Sequence, residues 1–158
     1  MAGDNPSSEA SGGESRCRDS RYRESDIHLS LPARPENVAV VRHVLAALAE
    51  ALDLPRAVID DMRLAVTEAC ANVVRHAYSD GDGSIDVVVT AGGRELEVVV
   101  ADEGRGIGPS PDTTGPGLGL TLMESLADSL EVESRAGAGS RLVMSFLRTR
   151  SSPATGLA

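Results

Sequence analysis

Glu68, Asn72 and His76 follow one another at intervals of four in the segment EACANVVRHAY. On a helix that spacing sets them in a line beside the apolar stripe rather than opposite it. A carboxylate and an amide stacked in this way can serve an Mg2+ site. The amide oxygen is a hard ligand, and Mg2+ keeps several waters and takes further oxygens from phosphates. The carboxylate can also accept a proton from a nearby hydroxyl or water. The same line equally describes the polar flank of a half-exposed helix, and spacing alone does not choose between the two.

Three further segments could carry chemistry. Asp102 ends the apolar run Leu96–Ala101 and opens Asp102-Glu103-Gly104-Arg105-Gly106-Ile107. A buried carboxylate needs a donor for a partner, and an adenine amino group is one. Gly104 and Gly106 would let the backbone approach a planar base closely. The alternative is a tight turn with a solvated aspartate. Gly115-Pro116-Gly117-Leu118-Gly119-Leu120 leads into a helical pattern. Backbone N–H groups and the helix dipole favour an anion there, although a plain capping loop has the same composition. Gly137-Ala138-Gly139-Ser140 lies between two strand patterns and reads as a hairpin turn, with Ser140 able to present its hydroxyl to a ligand.

These residues need elements to position them. Ile27, Leu29 and Leu31 alternate with polar residues, which predicts a strand. Pro35 opens a helix whose Val38, Val41, Leu45, Leu48 and Leu52 share one face. A second helix follows, with Asp53 or Leu54 near its cap and Pro55 in its first turn. Its apolar spacing holds from Val58 to Ala77. Ile85–Val89 and Leu96–Val100 read as strands joined at Ala91-Gly92-Gly93. Leu120, Met123, Leu126, Ala127 and Leu130 predict a third helix, and strands near 130–134 and 141–147 close the pattern. The expected architecture is an α/β two-layer sandwich: a mixed, mostly antiparallel sheet with three helices on one face. Residues 25–149 form this domain, between a disordered N-terminal tail at 1–24 and a disordered C-terminal tail at 150–158.

Composition excludes several classes. The chain has 158 residues, a net charge of −9 and aromatic side chains at only 2%. That balance argues against direct nucleic-acid or anionic-membrane partners and against base stacking on an aromatic platform. All 15 basic residues are arginine. A Walker-type phosphate loop and Schiff-base chemistry, which need lysine, are therefore excluded. Cys17 and Cys70 are too few and too differently placed for a disulfide framework or a zinc cluster. No apolar run is long enough to span a membrane, the N-terminus does not read as a secretory signal, and a cytoplasmic location is expected.

Each segment is weak alone, but their order is not. Glu68/Asn72 on a helix, Asp-x-Gly-x-Gly after a strand, a glycine loop into a helix, then Gly-x-Gly-Ser between strands resembles the GHKL, or Bergerat-fold, ATPase superfamily of gyrase, heat-shock chaperones, histidine kinases and mismatch-repair proteins. The resemblance covers about residues 27–148. It implies the following roles. Asn72 would hold Mg2+ and Glu68 would be the general base. Asp102 would bind the adenine amino group of ATP, with Gly104, Gly106 and Ile107 about the base. Gly115, Gly117, Leu118 and Gly119 would contact phosphates at the end of a lid spanning roughly 107–116. Ser140 would assist at adenine, where many relatives have threonine, and His76 would be a phosphate-side neighbour. The role of Arg105 is left open.

Within the superfamily, the EACANVVRHAY and GLGLTLMESLAD segments look like the anti-sigma factor kinases. His28 and His43 read as structural rather than as phospho-accepting. The resemblance implies an ATP-dependent serine/threonine protein kinase that acts as an anti-sigma factor and phosphorylates an anti-sigma factor antagonist. Its partners would be a sigma factor and that antagonist, and a homodimer is expected by inheritance. The alternative is a nucleotide-binding module that sequesters a partner without phosphoryl transfer. A weaker third reading is ATP hydrolysis driving lid motion.

Overall fold

The structure, a computed structural model, describes residues 27–79, 82–107, 118–134 and 136–149. The expected tails, the expected lid at roughly 107–116 apart from Ile107, and Gly115 and Gly117 lie outside the described residues. The elements run β1 (Ile27–Pro32), α1 (Pro35–Ala51), α2 (Arg56–Asn72), a π-helical turn (Val73–Ala77), β2 (Ser84–Ala91), β3 (Glu95–Asp102), α3 (Leu118–Leu126), β4 (Ser129–Ser134) and β5 (Ser140–Leu147).

The strands form one sheet in the order β1-β2-β3-β5-β4. All four pairings are antiparallel, so the mixed character expected from sequence is reduced to its antiparallel limit. The connections explain this. α1 and α2 carry the chain out and back, so β2 returns beside β1 in the opposite direction. α3 makes a single crossover, which sets β4 parallel in direction to β3, and β5 then inserts between them.

One face of the sheet carries the helices. Ile85, Val87 and Val89 of β2, Leu96, Val98 and Val100 of β3, and Leu142, Met144 and Phe146 of β5 all point into a core closed by Leu45, Val58, Met62, Val66 and Met123. Aliphatic side chains fill it, with Phe146 as the one phenylalanine in the chain. The opposite face is not bare. Val88, Val99 and Val143 are buried there as a small second cluster, and Val88 and Val99 line a depression bordered by His28, Asp86, Thr90, Glu97 and Arg141.

Local chemistry sets the helix ends. α1 starts with Pro35 in its first turn and no side-chain cap. It ends in a Schellman arrangement: the N–H of Leu54 bonds the Ala49 carbonyl and that of Asp53 bonds Glu50. Asp53 sits there at φ 52, a left-handed position that aspartate tolerates better than most residues. Asp53 thus closes α1, and the cap of α2 is Pro55 itself, not Asp53 or Leu54 as expected.

Two further expectations change. The second helix does not continue as an α-helix to Ala77, because its last five residues, Val73–Ala77, widen into a π-helical turn. The third helix stops at Leu126 and does not include Leu130. The Asp128 N–H bonds the Ser145 carbonyl, its Oδ2 accepts from the Leu147 N–H, and Leu130 lies opposite Met144 in the β4–β5 ladder. Strand pairing overrides a helix-compatible apolar spacing.

Candidate active site

The site is built along the C-terminal half of α2. Glu68 and Asn72 are half-buried, one turn apart, on the side that faces α3. Gly119, in the first turn of α3, lies directly against them. A Cβ on Gly119 would stand 2.7 Å from Glu68 Oε1 and 3.1 Å from Asn72 Nδ2. Glycine therefore keeps a gap open between the start of α3 and the carboxylate–amide pair. The Glu68 carboxylate oxygen and the Asn72 amide Nδ2 border that gap, and a flip of the amide would turn its oxygen toward a hard cation. Among the described residues no three His, Cys, Asp or Glu side chains cluster as a full metal cage. A cation here would draw its remaining ligands from phosphate and water, which is how Mg2+ is ordinarily held. Arg75 Nη1 lies 3.9 Å from Glu68 Oε1, with the Arg75 side chain 59% exposed. A pair that open is worth about 0–1 kcal/mol and does not lock the carboxylate away.

Asp102 ends β3 on the helix-covered face and is 6% exposed. Its burial is offset by two donors. The Gly104 N–H reaches Oδ1 at 2.8 Å, and the hydroxyl of Ser140, its register partner on β5, donates to Oδ2. An ionised carboxylate has about four acceptor positions, so two donors leave capacity for a ligand amino group.

The turn after Asp102 is pressed onto the end of the π-helical segment. A Cβ on Gly104 would run into the Ala77 carbonyl, so glycine is required there by the protein's own backbone. This is a physical demand in addition to the close approach to a base expected from sequence. Gly106 takes φ 80. Ile107, 43% exposed, is held by Ser134: its N–H donates to Ser134 Oγ at 2.5 Å, and its carbonyl accepts from the same hydroxyl at 3.0 Å. Gly139 takes φ 82 beside the Asp102 carbonyl, where a side chain would collide with main chain.

The fold thus brings Glu68, Asn72 and Gly119 together at one point of the helix. It docks the turn of Asp102, Gly104 and Gly106 at the end of that helix, with Ser140 completing it. His76 is less integrated. Its side chain is exposed, and the widened π turn shifts it from the line an uninterrupted α-helix would draw through Glu68 and Asn72. Leu118 is 73% exposed at the first position of α3.

Other residues hold the site and had no assigned role in the sequence reading. Tyr78 accepts the Glu103 N–H at 3.1 Å and donates its hydroxyl to the Ser84 carbonyl at 2.9 Å. Arg105 donates Nε to the His76 carbonyl at 2.5 Å. Their partners are mostly main-chain groups, which leave no mark on residue identity. A buriable hydroxyl just past the helix and a cation between two glycines were the available signals.

A two-layer sandwich with an acid–amide pair on an inner helix, a glycine at the start of the next helix and a buried aspartate closing a central strand defines an ATPase-type nucleotide domain. The chain belongs to the histidine kinase-like ATPase domain family, whose model matches residues 31–146. It is 34% identical over 132 residues to the anti-sigma F factor of Clostridium acetobutylicum, which covers 77% of this chain and 92% of that protein. It is 36% identical over 127 residues to the serine-protein kinase RsbW of Bacillus subtilis, covering 70% of this chain and 79% of that one. Among solved structures, the RsbU and RsbW domains of a Mycobacterium tuberculosis protein match with a TM-score of 0.63 at 23% identity, over 78% of this chain and 32% of that chain. The chain spans about a third of that structure, and the likeness is one of fold.

Proposed function

We propose that this protein is an ATP-dependent serine/threonine kinase that also acts as an anti-sigma factor, with an anti-sigma factor antagonist as its phosphoacceptor. Family membership and relatives named as anti-sigma F factor and serine-protein kinase support the reading. The observation that carries it is the placement of Glu68. A module that only held nucleotide would need no general base, yet this carboxylate stands half-open beside Asn72 at the start of α3.

The proposed roles are as follows. Asp102 accepts a hydrogen bond from the adenine amino group while Ser140 and Gly104 hold its carboxylate. Gly104, Gly106 and Ile107 flank the base. The N-terminal turn of α3, with Leu118 and Gly119, directs N–H groups and the positive end of the helix dipole at the phosphates; Gly115 and Gly117 are assigned phosphate contacts by the family resemblance alone. His76 lies on the phosphate side. Asn72 would hold Mg2+ through its amide oxygen once the amide is turned, and the ion would supply neutralisation of phosphate charge. Glu68 accepts the proton of the serine or threonine hydroxyl. That oxygen bonds to the γ-phosphorus, the bond from γ-phosphorus to the bridging oxygen breaks, and ADP carries away the released electron pair. The proposed catalytic unit spans residues 25–149. The proposed setting is the cytoplasm. No helix among the described residues is long and apolar enough to cross a membrane.

The test is incubation with γ-labelled ATP, Mg2+ and a candidate antagonist. Label should appear on a serine or threonine of the antagonist. Transfer by Glu68→Ala at the parental rate would remove the assigned base.

A further inference from the structure

Arg105 sits between two glycines of the adenine-facing turn, and the roles above do not use it. Its contacts are specific. The end of a helix leaves carbonyls without intrahelical partners. At the end of the π-helical turn Val73–Ala77 two consecutive carbonyls are taken by this one residue. The Arg105 main-chain N–H bonds the Ala77 carbonyl at 2.9 Å, and its Nε bonds the His76 carbonyl at 2.5 Å. The guanidinium thus places a fixed positive charge at the negative end of the helix dipole, in a charge-assisted bond.

The neighbouring bonds show what this contact secures. Glu103 N–H bonds the Tyr78 hydroxyl at 3.1 Å, and the Arg105 carbonyl accepts from Gly137 N–H at 3.0 Å. Three consecutive residues, His76, Ala77 and Tyr78, therefore each take one bond from the segment 103–105, which directly follows Asp102. The helix that ends at Ala77 is the one that carries Glu68 and Asn72. Three of these four ties involve main-chain atoms of Arg105 or a donor on Glu103 and survive any side-chain change at position 105. The bond from Arg105 Nε is the one tie that belongs to its side chain.

We infer that Arg105 is a positioning residue for the nucleotide: its guanidinium fixes the distance between the adenine-reading Asp102 turn and the helix bearing Glu68 and Asn72. The inference rests on the functional reading above. Arg105 does not touch the reacting atoms. It acts by holding one end of the ligand's site in register with the other, and small misplacements of that kind weaken productive binding.

The experiment compares Arg105→Ala, Arg105→Lys and Asp102→Asn with the parent in steady-state transfer from ATP, calorimetric ATP titration with Mg2+, and thermal melting. Arg105→Ala should raise KM for ATP about tenfold with kcat within about twofold of the parent. Arg105→Lys, which keeps a charged donor for the His76 carbonyl, should recover most of that loss. The inference is overturned if KM in Arg105→Ala is parental. It is equally overturned if Arg105→Lys is as impaired as Arg105→Ala, or if melting falls while the folded fraction binds ATP normally. Asp102→Asn separates the two levels. Parental affinity in that variant defeats the adenine assignment itself, whereas lost affinity there with a parental Arg105→Ala defeats this inference alone.

Discussion

Ser140 and Asp102 stand opposite each other at the ends of β5 and β3, and the serine hydroxyl donates to the aspartate carboxylate. Both side chains are buried, at 8% and 6% exposure. The pair orients one carboxylate oxygen while the Gly104 N–H orients the other. A ligand donor then meets an acceptor whose direction is already set.

If Asp102 accepts from the adenine amino group as proposed, Asp102→Asn replaces that acceptor with a group that can present a donor to it. A mispaired hydrogen bond to a charged group costs about 1.5–3 kcal/mol, so ATP affinity should fall by about tenfold to hundredfold. Ser140→Ala should have a smaller effect, and Ser140→Thr, which keeps the hydroxyl, should bind like the parent. Calorimetric titration with ATP and Mg2+ measures all three.

Glu68→Ala should lower phosphoryl transfer by about 100-fold or more, the scale of a lost general base, while leaving ATP affinity within a few-fold of the parent. Separate measurement of kcat and of the dissociation constant checks the split. Equal losses in both would assign Glu68 to binding.

Two glycines should respond in opposite ways to alanine. At Gly119 the new Cβ meets the tip of the Glu68 side chain at 2.7 Å, a group that can swing aside. Gly119→Ala should therefore melt near the parent but transfer phosphate poorly. At Gly139 the new Cβ meets the Asp102 main chain at a residue with φ 82, and nothing can yield cheaply. Gly139→Ala should lose about 1–3 kcal/mol of stability, seen in denaturant unfolding.

Cys70 is fully buried, and burial pushes its thiol pKa up from 9.0 to about 12. The native thiol is neutral where the unfolded one ionises. The unfolded state then binds fewer protons between pH 9 and 12, so stability contributed by the neutral thiol is complete below pH 9 and is lost as pH rises toward 12. In a Cys17→Ser background, Cys70 should resist thiol reagents at pH 8 until denaturant is added. The fall in unfolding free energy above pH 9 should be steeper than in a further Cys70→Ala variant. Rapid native labelling would contradict the burial.

Much of this was legible in the residues because it rests on periodicity. The alternation of Ile27, Leu29 and Leu31 marks β1, and the spacing from Val58 to Cys70 marks α2. The carboxylate, amide and aspartate of the site announced themselves by type and order. The π turn was hidden because Val73 and Ala77 are buried at a spacing that also fits an α-helix. The end of α3 was hidden because Leu130 suits a helix until the β4–β5 ladder claims it. Arg105 was hidden for a different reason: its partners are the carbonyls of His76 and Ala77, and every residue has a carbonyl.

β4 is an edge of the sheet, and Glu131 and Glu133 stand exposed along it in alternate positions. A strand left with unpaired backbone groups is a template for lateral polymerisation, the route by which sheets grow into fibrils. Two copies meeting along this border would set carboxylates against carboxylates in a chain already at −9. The acidic side chains at that margin thus oppose growth of the five-stranded sheet from this edge.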